Sequence, residues 1–217
     1  MVRGQRNVKR VRPYDATGRQ DRARQQHLAA LDTARAFFLE NGYAATTVES
    51  IAHATGVSVA TIYKTYGGKA GLVRALCQSA LEGAGAVPAE ERSNALRAVN
   101  DPRQVIGGWG RLVGEVSPRI SPLLLLLRIA AQTDPDAASL HEELDAARLA
   151  RMTDNARYLA RSGHLRAGVT MRDARDVLWF STAPELYDLL VTRRRWSVAK
   201  YSHFVTDMIT GALLSPD

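Results

Sequence analysis

The chain has 217 residues, 46% of them hydrophobic, which supports a packed core of one sizeable domain or two small ones and excludes a disordered chain. Its 29 Lys+Arg against 22 Asp+Glu leave a formal charge of +7, which points toward an acidic partner such as a nucleic acid. A single cysteine, Cys77, excludes an internal disulfide framework and fits a reducing cytoplasm, the location expected here.

The charge is unevenly placed. Residues 1–82 hold 12 Lys+Arg against 6 Asp+Glu, and residues 83–217 hold 17 against 16, so the excess sits near the start. Residues 1–18 carry Arg3, Arg6, Lys9, Arg10 and Arg12 with little apolar content. They are expected to form a disordered basic arm that binds phosphates or enters a minor groove, the alternative being a passive solubilising tail. The first 27 residues are mostly polar and contain no signal-peptide core. A first helix is predicted from about Arg19 to Glu40 on Leu28, Leu31, Ala34, Ala36, Phe38 and Leu39, with Asn41-Gly42 as its end.

The stretch from Thr46 to Lys69, TTVESIAHATGVSVATIYKTYGGK, reads as two short helices joined by a tight turn. Thr46 and Glu49 have capping-box spacing, and Val48, Ile51 and Ala52 share a face. Gly56 can take the left-handed conformation that ends a helix, Val57 can fill the gap, and Ser58 can cap the next helix, which turns Ile62 and Tyr66 inward. This is a helix-turn-helix, whose second helix fits the DNA major groove.

A fourth helix follows, roughly Lys69 to Glu82, until Gly83-Ala84-Gly85-Ala86-Val87-Pro88 breaks it. Residues 84–100 show no sustained period and read as the boundary between a domain over 19–83 and another over 84–217. From Pro102, the residues Val105, Ile106, Trp109, Leu112, Val113 and Val116 form one apolar stripe. Gly107, Gly108, Gly110 and Gly114 on the same helix permit either close packing or mobility. Ser117-Pro118 and Ser121-Pro122 are expected to punctuate. Leu123 to Gln132 then reads as a central buried helix, because it is apolar nearly all round; broken by Arg128, its apolar run is too short to span a bilayer. A long helix is predicted from Pro135 to about Arg161, then helices over about Arg172–Thr192, bent at Pro184, and Ser197–Leu214. The fold class is all-α.

The run T-T-V-x-x-I-A-x-x-x-G-V-S-x-x-T-I-Y-x-x-Y-x-x-K, carried by Thr46, Thr47, Val48, Ile51, Ala52, Gly56, Val57, Ser58, Thr61, Ile62, Tyr63, Tyr66 and Lys69, resembles the DNA-binding motif of the TetR family of transcriptional regulators. Tyr66, where that family more often has Phe, and Gly67-Gly68, where it more often has a polar pair, depart from the pattern. The stretch LWFSTAPELYDLLVTRRRWS followed by Y-x-x-F is similar to the C-terminal pattern of one large subgroup of the family.

The resemblance implies a helix-turn-helix domain followed by a helical ligand-binding and dimerisation domain. By position in the motif, Thr47, Ser58, Thr61, Tyr63 and Lys69 are the expected phosphate donors. Val59, Ala60 and Lys64 are the expected base-facing surface, Lys64 reaching guanine O6 and N7 and Val59 or Ala60 a thymine methyl. It also implies a small-molecule pocket, with Trp109, Leu124, Arg128, Gln132, Met152, Asn155, Tyr158, Trp179 and Phe180 as candidate lining residues. Two C-terminal helices per subunit would pair in a homodimer through Leu186, Leu190, Tyr201, Phe204, Val205, Met208 and Ile209. The function so implied is a homodimeric repressor released from a palindromic double-stranded operator by a small-molecule effector. The alternatives are an activator or ligand-independent regulator, or a small-molecule-binding or scaffolding protein that touches DNA only nonspecifically.

Enzymatic readings find no support in the spacing. His141-Glu142-Glu143 begins like a zinc-protease helix, but Asp145 stands where the second His belongs. Around Gly68-Lys69 a phosphate loop would need Gly at Tyr63 and Ser or Thr at Ala70. Gly108-Trp109-Gly110 precedes Val113, not a third Gly, and opens no βα unit. No cofactor, metal or membrane is expected.

Overall fold

The computed structural model describes residues 16–82 and 87–216, and among them every regular element is helical. The elements run α1 (Ala16–Ala45), α2 (Val48–Thr55), α3 (Val59–Tyr66), α4 (Lys69–Glu82), α5 (Ala89–Leu96), α6 (Pro102–Ala130), α7 (Pro135–Arg161), α8 (Met171–Ser181), α9 (Pro184–Tyr187) and α10 (Val198–Leu213). A π-helical stretch, Asp188–Arg193, continues α9. The all-α architecture expected from the periodicity is therefore the one adopted. The basic arm, Arg3 to Arg12, and Gly83 to Ala86 lie outside the described residues. No helix among the described residues is long and apolar enough to cross a membrane.

Two cores organise the chain. In the first, Ala34 and Phe38 of α1 meet Val48 and Ile51 of α2, Ile62 of α3, and Leu72, Val73, Leu76 and Cys77 of α4. Leu123 and Leu127 of α6 and Ala137 and Leu140 of α7 complete it. In the second, Val105, Ile106 and Trp109 of α6 meet Ala156 and Leu159 of α7, Leu178 of α8, and Tyr201, Val205, Ile209 and Leu213 of α10. The expected helix-turn-helix unit thus does not close on itself. It borrows part of its interior from the helices that follow.

Three expectations are corrected at the level of elements. The sequence predicted prolines to divide α6, yet it runs unbroken for 29 residues with Pro118 and Pro122 inside it. Each proline removes a backbone donor, but its neighbours Leu123 and Leu127 are fully buried and hold the helix in place. The stretch read as a boundary, residues 84–100, contains α5. Its buried positions are only Ala89 and Ser93, a stripe too narrow to appear as a period in AEERSNAL. The helix expected over Arg172–Thr192 is split between α8 and α9, because Thr182 and Ala183 leave the helix just before Pro184. The end expected at Asn41-Gly42 is met, since the helical conformation breaks at Gly42, with φ 82° and ψ 167°, before a further turn to Ala45.

Three of the four glycines of α6, Gly108, Gly110 and Gly114, serve close packing. A Cβ on Gly110 would lie 1.9 Å from Thr206 Oγ1 and 3.2 Å from the Ser202 carbonyl of α10. One on Gly114 would lie 2.9 Å from Ser202 Cβ. The approach is fastened by Ser202 Oγ, which donates to the Gly110 carbonyl at 2.8 Å. Replacing Gly110 by Ala therefore forces α6 and α10 apart. The expected loss is about 1–3 kcal/mol of unfolding free energy, as for other overpacked sites, measured by urea denaturation. An unchanged midpoint would show that the crossing tolerates a methyl group.

Cys77 is fully buried in the first core, and burial pushes its thiol up from 9.0 to about 12. A thiol reagent is expected to label it only after unfolding. The native fold retains this proton where the unfolded chain loses it. The contribution to stability is therefore complete below pH 9 and declines as pH rises from 9 toward about 12. Cys77→Ser should shift the alkaline end of the stability profile, read from thermal midpoints across that range.

Candidate functional site

The helix-turn-helix is built by capping. The N-cap of α2 is Thr47, one residue beyond the expected Thr46. Thr47 Oγ1 accepts the Ser50 amide at 3.0 Å, and Ser50 Oγ accepts the Thr47 amide at 3.3 Å, so the box closes on Ser50 rather than on Glu49. Thr46 is buried instead, donating to the carbonyls of Phe37 at 3.0 Å and Gly42 at 2.9 Å. It ties the end of α1 to the start of α2. Gly56, at φ 70°, ends α2 in the left-handed region that an L side chain resists. Ser58 caps α3 by accepting the Thr61 amide at 3.1 Å. Ile62 anchors α3 in the core, 1% exposed.

The opposite face of α3 is open. Ala60, Thr61, Tyr63, Lys64 and Thr65 are exposed, Tyr63 to 50%. Thr65 was not singled out from the sequence, although it lies one turn beyond Thr61 and next to Lys64; the i, i+4 spacing was the available signal. Ser58 and Thr61 share a hydroxyl hydrogen bond of 2.7 Å, so one proton of the pair stays free to donate outward. Thr47 Oγ1 uses its acceptor capacity on Ser50 and keeps its own proton. Val59 stands apart from this surface. It is half-buried and packs against the first core, which takes most of its side chain away from a base edge.

Lys69 is engaged from behind. Its Nζ donates to the Tyr43 carbonyl at 3.0 Å and sits 4.4 Å from the centre of the Tyr43 ring. An ammonium has three donors, so two remain for an anion. Tyr66 bonds His27 of α1, its hydroxyl 2.9 Å from Nδ1 with the rings stacked at 5.0 Å. Burial raises the pKa of Tyr66 above its usual value, and the group stays neutral at ordinary pH. The sequence pointed to neither His27 nor the Lys69–Tyr43 contact, because both join residues distant in the chain.

The candidate effector residues do not converge on one cavity. Trp109, Met152, Asn155 and Tyr158 share the second core or its border. Trp109 Nε1 donates to the Ser93 carbonyl at 3.4 Å, and Asn155 Oδ1 accepts from Arg97 at 2.7 Å. Leu124 packs in the first core instead. Arg128 is exposed and ion-paired with Glu185, and Gln132 and Phe180 are exposed too. The Trp179 ring lies under the Arg148 guanidinium at 4.5 Å. The candidate dimer residues divide in the same way. Tyr201, Val205 and Ile209 are at most 2% exposed, turned into the chain's own second core, so they are not surface residues as expected. Phe204, Met208, Leu186 and Leu190 retain exposed area. Apolar helix faces in a sequence look alike whether they meet their own chain or a second one.

The sequence model of the bacterial regulatory proteins of the tetR family matches residues 30–76. No curated protein sequence matches the chain. Solved structures resemble it over most of its length. NalD, the secondary repressor of the MexAB-OprM multidrug efflux pump in Pseudomonas aeruginosa, is 20% identical, with 91% of this chain and 100% of that one covered and a TM-score of 0.70. SmeT in its triclosan complex is 19% identical over 88% and 92% of the two chains, with a TM-score of 0.67. FadR from Bacillus subtilis in complex with stearoyl-CoA is 16% identical over 86% and 98%, with a TM-score of 0.65. At these identities the likeness establishes a shared fold.

Proposed function

We propose that this chain, a regulator with a TetR-family helix-turn-helix domain, is a homodimeric repressor that a small-molecule effector releases from a two-fold operator. The observation that carries the reading is the open face of α3. Thr61, Tyr63, Lys64 and Thr65 point away from a core that holds Ile62, on a helix fixed at both ends by caps. Such a helix offers hydroxyls and one cation to phosphates and base edges without rearranging its backbone. The effector is assigned to the region of Trp109, Met152, Asn155 and Tyr158, where an apolar interior borders polar groups. SmeT was captured with triclosan and FadR with stearoyl-CoA, which favours an effector role for the helical body here.

Dimer formation is assigned to α8 and α10 with the segment between them. Phe180 is 52% exposed, Leu189 50%, and Val198 and Phe204 37% each, an unusual apolar content for a surface facing water. Footprinting on the DNA beside the gene for this chain tests the whole reading. A protected two-fold site is expected. Weak uniform binding would leave a small-molecule-binding or scaffolding protein with nonspecific DNA affinity.

Phe204→Asp should yield monomers that keep their helicity, since it places an unpaired charge in the proposed interface. Sedimentation checks the mass and circular dichroism the fold; an intact dimer would remove the assignment. Lys64→Ala should relax base preference at one position per half-site by about 1–3 kcal/mol with no change in thermal midpoint. Lys69→Ala should weaken binding to every sequence and also lower the midpoint, because the Tyr43 carbonyl loses its donor. Equal weakening on all sequences by Lys64→Ala would make that residue a phosphate contact.

A further inference from the structure

A cleft of about 300 Å³ opens on the body of the chain, lined by Arg97, Asp154, Arg157, Tyr158, Arg161 and Ser162. Arg97 comes from the turn after α5, and the rest come from the last turns of α7 and its C-cap residue, Ser162. Three guanidinium groups thus face one carboxylate, which leaves two positive charges uncompensated in the cleft. Asp154 is committed to Arg157, at 2.8 Å. Arg97 is held in place from behind, because its Nη2 donates to Oδ1 of the buried Asn155 at 2.7 Å. Its Nε is buried without a hydrogen-bond partner among the described residues. The side chains of Arg161 and Ser162 make no hydrogen bond or ion pair among the described residues, so both are free to donate.

We propose that this cleft binds a phosphate-type dianion, taken either as the free ion or as the phosphoryl group of a small molecule. Several features favour that charge and shape. A phosphoryl group carries about −1.5 to −2 at neutral pH, which balances the two excess cations. Its oxygens suit forked guanidinium donors better than a single point charge does. The Tyr158 hydroxyl is spent on the Val99 carbonyl at 3.2 Å, so the tyrosine supplies an aromatic wall rather than a donor.

One effect opposes binding. The cleft lies at the C-terminus of α7, where the helix dipole places roughly half a negative charge. That charge is blunted here. The carbonyls of Tyr158, Leu159 and Ala160 already accept the amides of Ser162, His164 and Gly163. Two whole cationic charges outweigh the remainder. Arg151, one turn before Asn155, has its pKa lowered by burial first and then by the charge of Arg97, with Glu90 and Asp154 acting the other way.

The site stands on its own geometry and is read without DNA. The full chain is titrated calorimetrically with inorganic phosphate and with glycerol phosphate, against chloride and acetate at equal ionic strength. Saturable heat is expected with the phosphates and none with chloride or acetate. Tighter binding of the ester would identify a phosphoryl group, and tighter binding of inorganic phosphate the free ion. Arg161→Gln should weaken the affinity about tenfold, one charge-assisted hydrogen bond's worth, with an unchanged thermal midpoint. Asp154→Asn should tighten it, since it removes the opposing charge and frees Arg157. A purely structural role for these residues would not produce opposite signs. No saturable phosphate heat, equal binding of acetate, or an affinity unmoved by either substitution would overturn the proposal.

Discussion

The structure depends on one shared helix. α6 contributes Val105, Ile106 and Trp109 to one core and Leu123 and Leu127 to the other. At 29 residues it is about 43 Å long, enough to contribute to both cores. Two internal prolines oppose it, at roughly 3 kcal/mol each. Burying a large apolar side chain contributes about 1.5–3 kcal/mol, and α6 buries more than four of them. Packing therefore wins over local propensity, and the helix stays continuous where the chain alone argues for a stop.

That arrangement matters most for α2 and α3. Each has eight residues, below the length at which an isolated helix is stable in water. Their caps satisfy the exposed amides, but the orientation of α3 comes from what lies beneath it. Ile62 rests on a core to which α1, α4, α6 and α7 all contribute. The Tyr66–His27 and Lys69–Tyr43 contacts then pin the end of α3 and the start of α4 to α1. The face of α3 proposed to read DNA is thus held by residues remote from it in sequence.

The same distinction decides what was legible in advance. α4 and α7 were read from the sequence with the bounds they adopt, because glycines, prolines and amphipathic stripes mark their ends. The helix-turn-helix was legible for the same reason, apart from the one-residue slip between Thr46 and Thr47. Both are threonines, and only the buried bonds of Thr46 to Phe37 and Gly42 tell them apart. α5 was missed because its contact stripe is two residues wide. The inward turn of Tyr201, Val205 and Ile209 was missed because periodicity marks a buried face without naming what covers it. The arginine cleft was invisible for a third reason: Arg97 reaches Asn155 across 58 positions of sequence.

The shared helix also constrains how an effector could act on the proposed reading. A ligand shifts the spacing of the recognition helices only through a difference in affinity between two arrangements. Gly110 and Gly114 let the first half of α6 pack closely on α10, and Ser202 fastens the contact by donating to the Gly110 carbonyl. The second half is embedded with α1 and α4, and the Arg35 guanidinium fastens it by donating to the Arg119 carbonyl at 2.9 Å. Pro118 lies between the Gly114 and Arg119 attachments and Pro122 one turn beyond it, so two backbone donors are missing from this part of the helix ladder. Bending resistance is lowest where the ladder is thinnest. A ligand among Trp109 and Tyr158 would therefore change the angle between the halves of α6 at the prolines rather than slide the helix, and the first core would carry that angle to α3.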